Sequence, residues 1–394
     1  MSPVSVPAYA VARLPRLVFG EGCVATIPGE VAALGEKVLI VTGARSFRES
    51  EHWPALQDGL EQRRVSWETL SVAAEPSPEA VDSAVAEFRG IGIAVVLGIG
   101  GGSALDAAKA VAGLLPHGNS VMDHLEGVGP ELAYPGPSLP FVAVPTTAGT
   151  GSEATKNAVL SRLGTGGFKK SFRDEKLVAQ VAVVDPGLLA SCPPAVIAAN
   201  GMDALTQLIE SYVSLKAGPV TDALALSGLE AFRRGFFAAW EGTGDAARAG
   251  RSLIAHASLM SGICLAQAGL GAVHGLAPPL GALFSIGHGI ACGTVVAEAT
   301  DVNVTALRAR AADGPALRKY AQVAEILTGK ADAEALVALL RAWTDRLALP
   351  RLSAFGIGAA DIPRIVAGSR GSSMKTNPVA LTDDEIGEIV ARRI

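Results

Sequence analysis

An N-terminal α/β domain built on a mainly parallel sheet, followed by an all-helical C-terminal domain, is the fold class that this 394-residue sequence predicts. Three observations carry it. Strand-like and helix-like segments alternate from the start of the chain to about residue 190, the pattern of a parallel sheet. Asp185-Pro186 and Cys192-Pro193-Pro194 then interrupt that pattern. From Pro194 onward the apolar periodicity is helical nearly to the end. A chain of this length also exceeds what one hydrophobic core normally fills, so two domains are expected, residues 1–190 and 191–394.

The expected strands are 17–19, 37–42, 93–98, 141–145 and 181–184, each a short apolar run bounded by turn residues. The expected helices of the second half include 221–240, 250–268, 306–327 and 331–347. Asp383, Asp384 and Glu385 start a short final helix, with acids at the positive end of its dipole.

The third strand runs through Gly98 and Ile99 into Gly100-Gly101-Gly102-Ser103 and then into the helix-forming segment Ala104-Leu105-Asp106-Ala107-Ala108-Lys109. A strand, a glycine turn and a helix N-terminus make a site for a phosphate. Backbone N–H groups point outward there, the dipole is positive, and missing Cβ atoms let an anion approach. The spacing matches neither GxGxxG nor GxxxxGK[ST]. The competing reading is a turn that only lets a helix pack closely on a sheet; Ser103 in the first turn favours the phosphate, and Asp106 is counted with the cofactor-binding candidates.

The fourth strand empties into Thr146-Thr147-Ala148-Gly149-Thr150-Gly151-Ser152-Glu153. The hydroxyls of Thr146, Thr147, Thr150 and Ser152 at a strand's C-terminal end suit a cleft that holds a polar cofactor. Thr150 and Glu153 also have the spacing of a capping box, and both readings can hold together.

Asp203 and Gln207 are four residues apart in a helical run and share a face. His274 and His288, two of only six histidines, stand in glycine-rich apolar surroundings where an unpaired imidazole would be costly. A carboxylate, an amide oxygen and two imidazoles are donors suited to a divalent ion such as Zn²⁺ or Fe²⁺. Asp203, Gln207, His274 and His288 are therefore the candidate metal ligands. A helix cap, a solvated glutamine and satisfied core histidines are the alternatives for each taken alone.

The segments GIGGGSALDAAK, PTTAGTGSEAT, GMDALTQLIE and VHGLAPPLGALFSIGHG resemble the iron-containing (group III) alcohol dehydrogenases, relatives of dehydroquinate synthase and glycerol dehydrogenase. The resemblance covers nearly the whole chain. It implies a dinucleotide-binding N-terminal domain, a helical metal-binding domain, and NAD(P) with a divalent metal in the cleft between them. Asp203, His274 and His288 become the catalytic residues through that metal, and Lys169 matches a lysine near the nicotinamide ribose. Two positions depart from the family's pattern: Gln207 stands where most members have a histidine ligand, and Pro278 where many have a histidine near the nicotinamide. Proline cannot relay a proton, so any relay must use another group. Members that prefer NAD often carry Asp at the place of Gly43. A glycine with Arg45 and Ser46 beside it accommodates a 2′-phosphate, so NADP is expected before NAD.

The implied activity is hydride transfer between nicotinamide and the carbonyl carbon of a small alcohol or aldehyde, with the metal as Lewis acid. Two other activities fit the same resemblance. One is a reductase of unsaturated oxo acids like maleylacetate reductase, which would need arginines in its pocket; the other is a carbon–oxygen lyase like dehydroquinate synthase. A non-catalytic nucleotide-binding protein is the remaining option.

Net charge is −5 with no basic block, which argues against nucleic acid, and no 18-residue uncharged apolar stretch points to a membrane. The N-terminus lacks the pattern of a signal peptide. A cytoplasmic homodimer or higher homo-oligomer is expected. Cys23, Cys192, Cys264 and Cys292 show no metal-knuckle spacing and read as buried small hydrophobes in a reducing compartment, although Cys292 lies one helical turn after His288.

Overall fold

The computed structural model describes residue 6, residues 8–164 and residues 166–394. The N-terminal half runs β1 (Arg16–Phe19), α1 (Ile27–Ala32), β2 (Lys37–Gly43), α2 (His52–Glu61), β3 (Ser66–Val72), α3 (Pro78–Phe88), β4 (Val95–Gly100), α4 (Gly102–Leu114), β5 (Phe141–Pro145), β6 (Asn157–Arg162), β7 (Phe168–Arg173) and β8 (Val181–Val184). Six of the strands form one sheet in the order β1-β8-β5-β4-β2-β3. Every pairing in it is parallel. One apolar core lies under α3 and α4 and another under α1 and α2, so both faces are covered. That is why β4, β5 and β8 are buried along their whole length and read as continuous apolar runs.

Three strands are additional to the expected five. β3 is an edge strand in which polar Ser66, Glu68 and Ser71 interrupt the apolar residues, leaving it half exposed. β6 and β7 form a separate antiparallel hairpin.

The C-terminal half is helical: α5 (Pro194–Val213), α6 (Pro219–Glu241), α7 (Gly244–Ala268), α8 (Ala272–Phe284), α9 (His288–Arg310), α10 (Pro315–Thr328), α11 (Ala333–Arg346), α12 (Ile362–Gly368) and α13 (Asp383–Ala391). One continuous core unites them. The single helix expected over 306–327 is two. α9 ends at Arg310 and α10 starts at Pro315, because Gly314 and a proline without an N–H stop the first helix and open the second. α9 is long and apolar enough to cross a membrane by composition, and it is buried inside this core.

α5 is the central helix, packed against α6, α7 and α9. Its crossing with α9 is close because α9 presents glycines one turn apart. A Cβ at Gly289 would lie 2.5 Å from Ala199 O, and one at Gly293 would lie 2.9 Å from Met202 Cβ. The two halves meet with equal closeness where the loop after β5 touches α7. A Cβ on Gly262 would fall 2.3 Å from Gly151 O.

Candidate active site

A cavity of about 450 Å³ lies where the C-terminal ends of β2 and β4 face the helical half. One wall is the turn into α4, with Gly101, Gly102 and Ser103, and beside it Gly43 ends β2. Thr147, Thr150 and Ser152 line it from the loop after β5, and Asp106 and Lys169 complete that side. Gln207 and His288 line the opposite wall. Gly102 packs tightly on this loop: a Cβ there would lie 2.9 Å from Thr150 Cγ2, so the threonine would have to shift to admit it. No side chain caps this helix, and its first residues Gly102 and Ser103 line the cavity, the arrangement that phosphate binding at a helix N-terminus uses.

Three expected cofactor residues do not line the cavity. Gly100 is buried in the strand end and accepts a bond from the Thr146 N–H at 2.9 Å, which turns Thr146 inward as well. Arg45 is exposed beyond the end of β2. The capping box read at Thr150 and Glu153 does not form. Gly151, with φ of 60°, precedes a single 3₁₀ turn, and Thr150 instead accepts from the Ser152 N–H at 3.3 Å.

What fixes this loop is Lys109, which is fully buried. Its ammonium donates to Ser152 O at 2.8 Å, Ser152 Oγ at 3.1 Å, Thr155 Oγ1 at 3.0 Å and Asn157 O at 2.7 Å. Asp106 accepts from Ser152 Oγ at 2.6 Å and from the Val159 N–H at 3.2 Å, so it braces the loop while forming part of the cavity wall. Burial pushes the Lys109 pKa down to about 8 despite the attraction of Asp106 and Glu153, and burial pushes Glu153 up to about 7. Lys169, on β7, is paired with Glu75 at 2.5 Å.

On the helical wall, Asp203 and Gln207 lie one turn apart in the middle of α5, His274 is in the first turn of α8, and His288 is the first residue of α9. His274 Nε2 lies 3.1 Å from Asp203 Oδ1, and His288 Nε2 lies 3.7 Å from the same oxygen. Asp203 is fully buried, and its Oδ2 has no hydrogen-bond partner. Burial opposes its charge, yet the nearby His288 and His274 hold its pKa down to about 2. Burial drives His288 down to about 4, against the pull of Asp203, leaving a neutral ring whose nitrogen can act as a donor. His274 goes the other way: burial opposes its charge, but Cys292, Asp203 and Glu210 around it raise it well above the ordinary value. A buried, ionised and half-unpartnered carboxylate facing two imidazoles fits a divalent cation, which would supply the missing partner.

Two residues of this cluster were not among the expected site residues. Glu210 accepts from His274 Nδ1 at 2.7 Å and from the Val273 N–H at 2.7 Å, so it orients the imidazole and caps α8. It follows Asp203 by seven positions and Gln207 by three on the same helix face, a spacing that could have flagged it. Cys292, read from the sequence as an inert core cysteine, reaches the cluster because the glycines on either side of it bring α9 against α5. Gln207 Oε1 accepts from Ser261 Oγ at 2.8 Å.

Glu210→Gln is expected to keep the fold and weaken Zn²⁺ affinity about 10- to 100-fold, the usual cost of losing a carboxylate that orients a ligand histidine. A zinc titration against a competing chelator measures this, and equal affinity for the two proteins would remove Glu210 from the site.

The iron-containing alcohol dehydrogenase family model matches residues 15–186, and the C-terminal model of the same family matches residues 197–394. A long-chain-alcohol dehydrogenase of Geobacillus thermodenitrificans is 37% identical over 288 residues, covering 71% of this chain and 70% of that protein. Among solved structures, a 1,3-propanediol oxidoreductase is similar with a TM-score of 0.85 and 27% identity, covering 98% of this chain and 100% of that one. The sulfoacetaldehyde reductase of Bifidobacterium kashiwanohense, solved with NAD⁺, gives a TM-score of 0.83 at 26% identity over 98% of each chain.

Proposed function

This chain belongs to the iron-containing alcohol dehydrogenase family, and on that premise we propose that it reduces small aldehydes, and oxidises the matching alcohols, with NADP preferred to NAD. The family membership carries NAD-linked, metal-dependent oxidoreduction at a CH–OH group. The observation that carries the site assignment is that His288, which belongs to the cluster with Asp203 and His274, lines the same cavity as the Gly101-Gly102-Ser103 turn; Asp203 and His274 lie buried behind it.

Each wall has its own task. The first turn of α4 offers N–H groups to the coenzyme diphosphate, and Thr147 and Thr150 offer hydroxyls beside it, while the Ser152 hydroxyl, whose proton goes to Asp106, braces the loop. Asp203, His274 and His288 hold the cation, with Glu210 fixing the tautomer of His274. When bound, the cation supplies a Lewis acid for the substrate oxygen and the nicotinamide exchanges the hydride. Pro278, one turn after His274 in α8, has no proton to give, so a proton relay cannot run through that position. No arginine lines the cavity among the described residues, and its one lysine is paired with Glu75, which favours an aldehyde over an unsaturated oxo acid. Self-association belongs to the same reading: among the described residues the outer edge of β1 is unpaired in the sheet, and β1 carries exposed Leu17 and Phe19. A reducing cytoplasm suits four free cysteines.

Coenzyme-linked absorbance with an aldehyde panel tests the reaction. A trace that stays flat with every aldehyde and both coenzymes, in protein carrying metal, would refute it. The coenzyme preference has its own test. A Cβ added at Gly43 meets nothing within 4 Å, so Gly43→Asp has room for its first side-chain atom. Opposing a 2′-phosphate should shift the ratio of kcat/KM toward NAD by about 2 to 3 kcal/mol, roughly a hundredfold. An unchanged ratio would place the ribose elsewhere.

A further inference from the structure

The sequence offers Gln207 as the fourth donor beside Asp203, His274 and His288, and the fold brings a sulfur beside the same three residues. Cys292 Sγ lies 3.7 Å from His274 Nε2 and 3.9 Å from His288 Nε2. With Asp203 these atoms all lie within 4.8 Å of one another. Zinc bonds of about 2.0–2.1 Å to nitrogen or oxygen and 2.3 Å to sulfur, tetrahedrally disposed, separate ligand atoms by roughly 3.3 to 3.6 Å. Four of the six separations, His274 and His288 each to Asp203 and to Cys292, are 3.1 to 3.9 Å and bracket that spacing. The unpartnered Oδ2 of the fully buried Asp203 is the second, independent sign that an ion belongs here.

Gln207 has a hydrogen-bond partner of its own. Its Oε1 accepts from the Ser261 hydroxyl, and that hydroxyl also lies 2.8 Å from Ser258 O. One proton serves one acceptor, so an amide turned end for end would satisfy Ser261 equally and aim its oxygen at the cavity. Gln207 is therefore the competing assignment for the fourth position.

We propose that Cys292 is the fourth protein ligand, so that the cation is held by Asp203, His274, His288 and Cys292, and Gln207 is part of the cavity wall. The proposal rests on the metal reading above and specifies its donor set. On binding, the S–H bond breaks as the sulfur–metal bond forms, both electrons stay with sulfur, the proton leaves to solvent, and the oxidation state of the metal does not change. A thiolate donor favours Zn²⁺ and Fe²⁺ over Mn²⁺ and Mg²⁺. It also makes the cation a milder Lewis acid than one held by oxygen and nitrogen alone.

Cobalt(II) substitution reads the donor set without any turnover. The full-length protein loaded with one Co²⁺ per chain should show a sulfur-to-cobalt charge-transfer band in the near ultraviolet. Cys292→Ser and Cys292→Ala should each lose the band and raise the Kd for Co²⁺ by more than about tenfold, since a direct ligand matters at least as much as an outer partner. Gln207→Ala should keep both the band and the affinity. Stoichiometric Co²⁺ binding without the band in the unmutated protein would overturn the proposal and leave the metal reading intact. So would a band that survives in the Cys292 variants, or an affinity loss confined to Gln207→Ala. Failure to bind Co²⁺ at all would instead take down the metal reading itself.

Discussion

His274→Ala is expected to lose the metal and to lower kcat/KM for aldehyde reduction by about three orders of magnitude, because Lewis-acid stabilisation is worth several kcal/mol and each 1.4 kcal/mol is tenfold. The size of the effect follows from the position of the ring. His274 bridges Asp203 at 3.1 Å and Glu210 at 2.7 Å, so truncation removes one donor and leaves two buried carboxylates without the group that joins them. A change at His288, whose side chain is about a quarter exposed, leaves a gap that water can enter. Its cost should fall on metal retention more than on folding. Elemental analysis and steady-state kinetics on the same preparation test the pair. His274→Ala protein that keeps one metal per chain and normal kcat would exclude His274 as a ligand.

Lys109→Met is expected to be the most destabilising single change on the coenzyme wall, by about 3–5 kcal/mol, the usual cost of removing one partner of a buried charge network. Methionine nearly preserves the length of the stem, so the loss is electrostatic. Four oxygens lose their donor together. Asp106 and Glu153 both lose the attraction of the same ammonium. Because Ser152 and Thr155 belong to the loop beside the cavity, KM for the coenzyme should rise as stability falls. Denaturant unfolding monitored with and without coenzyme measures both. An unfolding midpoint and KM equal to those of the unmutated protein would show that the ammonium is dispensable.

What could be read from the sequence divides along burial. β2, β4, β5 and β8 are covered on both faces, so their residues form apolar runs that announce strands. β3 sits at an edge and the β6–β7 hairpin stands apart, so polar residues interleave with apolar ones and nothing in either pattern demanded a strand. The join between α9 and α10 was missed for a different reason. Apolar residues recur on both sides of Asp313-Gly314-Pro315, and periodicity outweighed the breaker residues. At the site, the three groups Asp203, His274 and His288 were legible because their chemistry is unusual for their surroundings. Glu210 and Cys292 were not. A helical Glu usually faces water and a lone Cys usually fills a core, and only the approach of α8 and α9 to α5 gives either one a task.

Asp203, Gln207 and Glu210 occupy one stripe of α5, and that arrangement limits how the gene can vary. Each residue of an α-helix advances the chain by about 100° around the axis, so one inserted or deleted codon between positions 203 and 210 would swing everything after it to another side. A loop could absorb such a change; this stretch, buried throughout and packed on three helices, cannot. Substitution can change a side chain at these places, as an amide for an imidazole, and leave the rest of the stripe where it is. Length polymorphism among natural variants must therefore fall outside this segment, in the connections that touch neither wall.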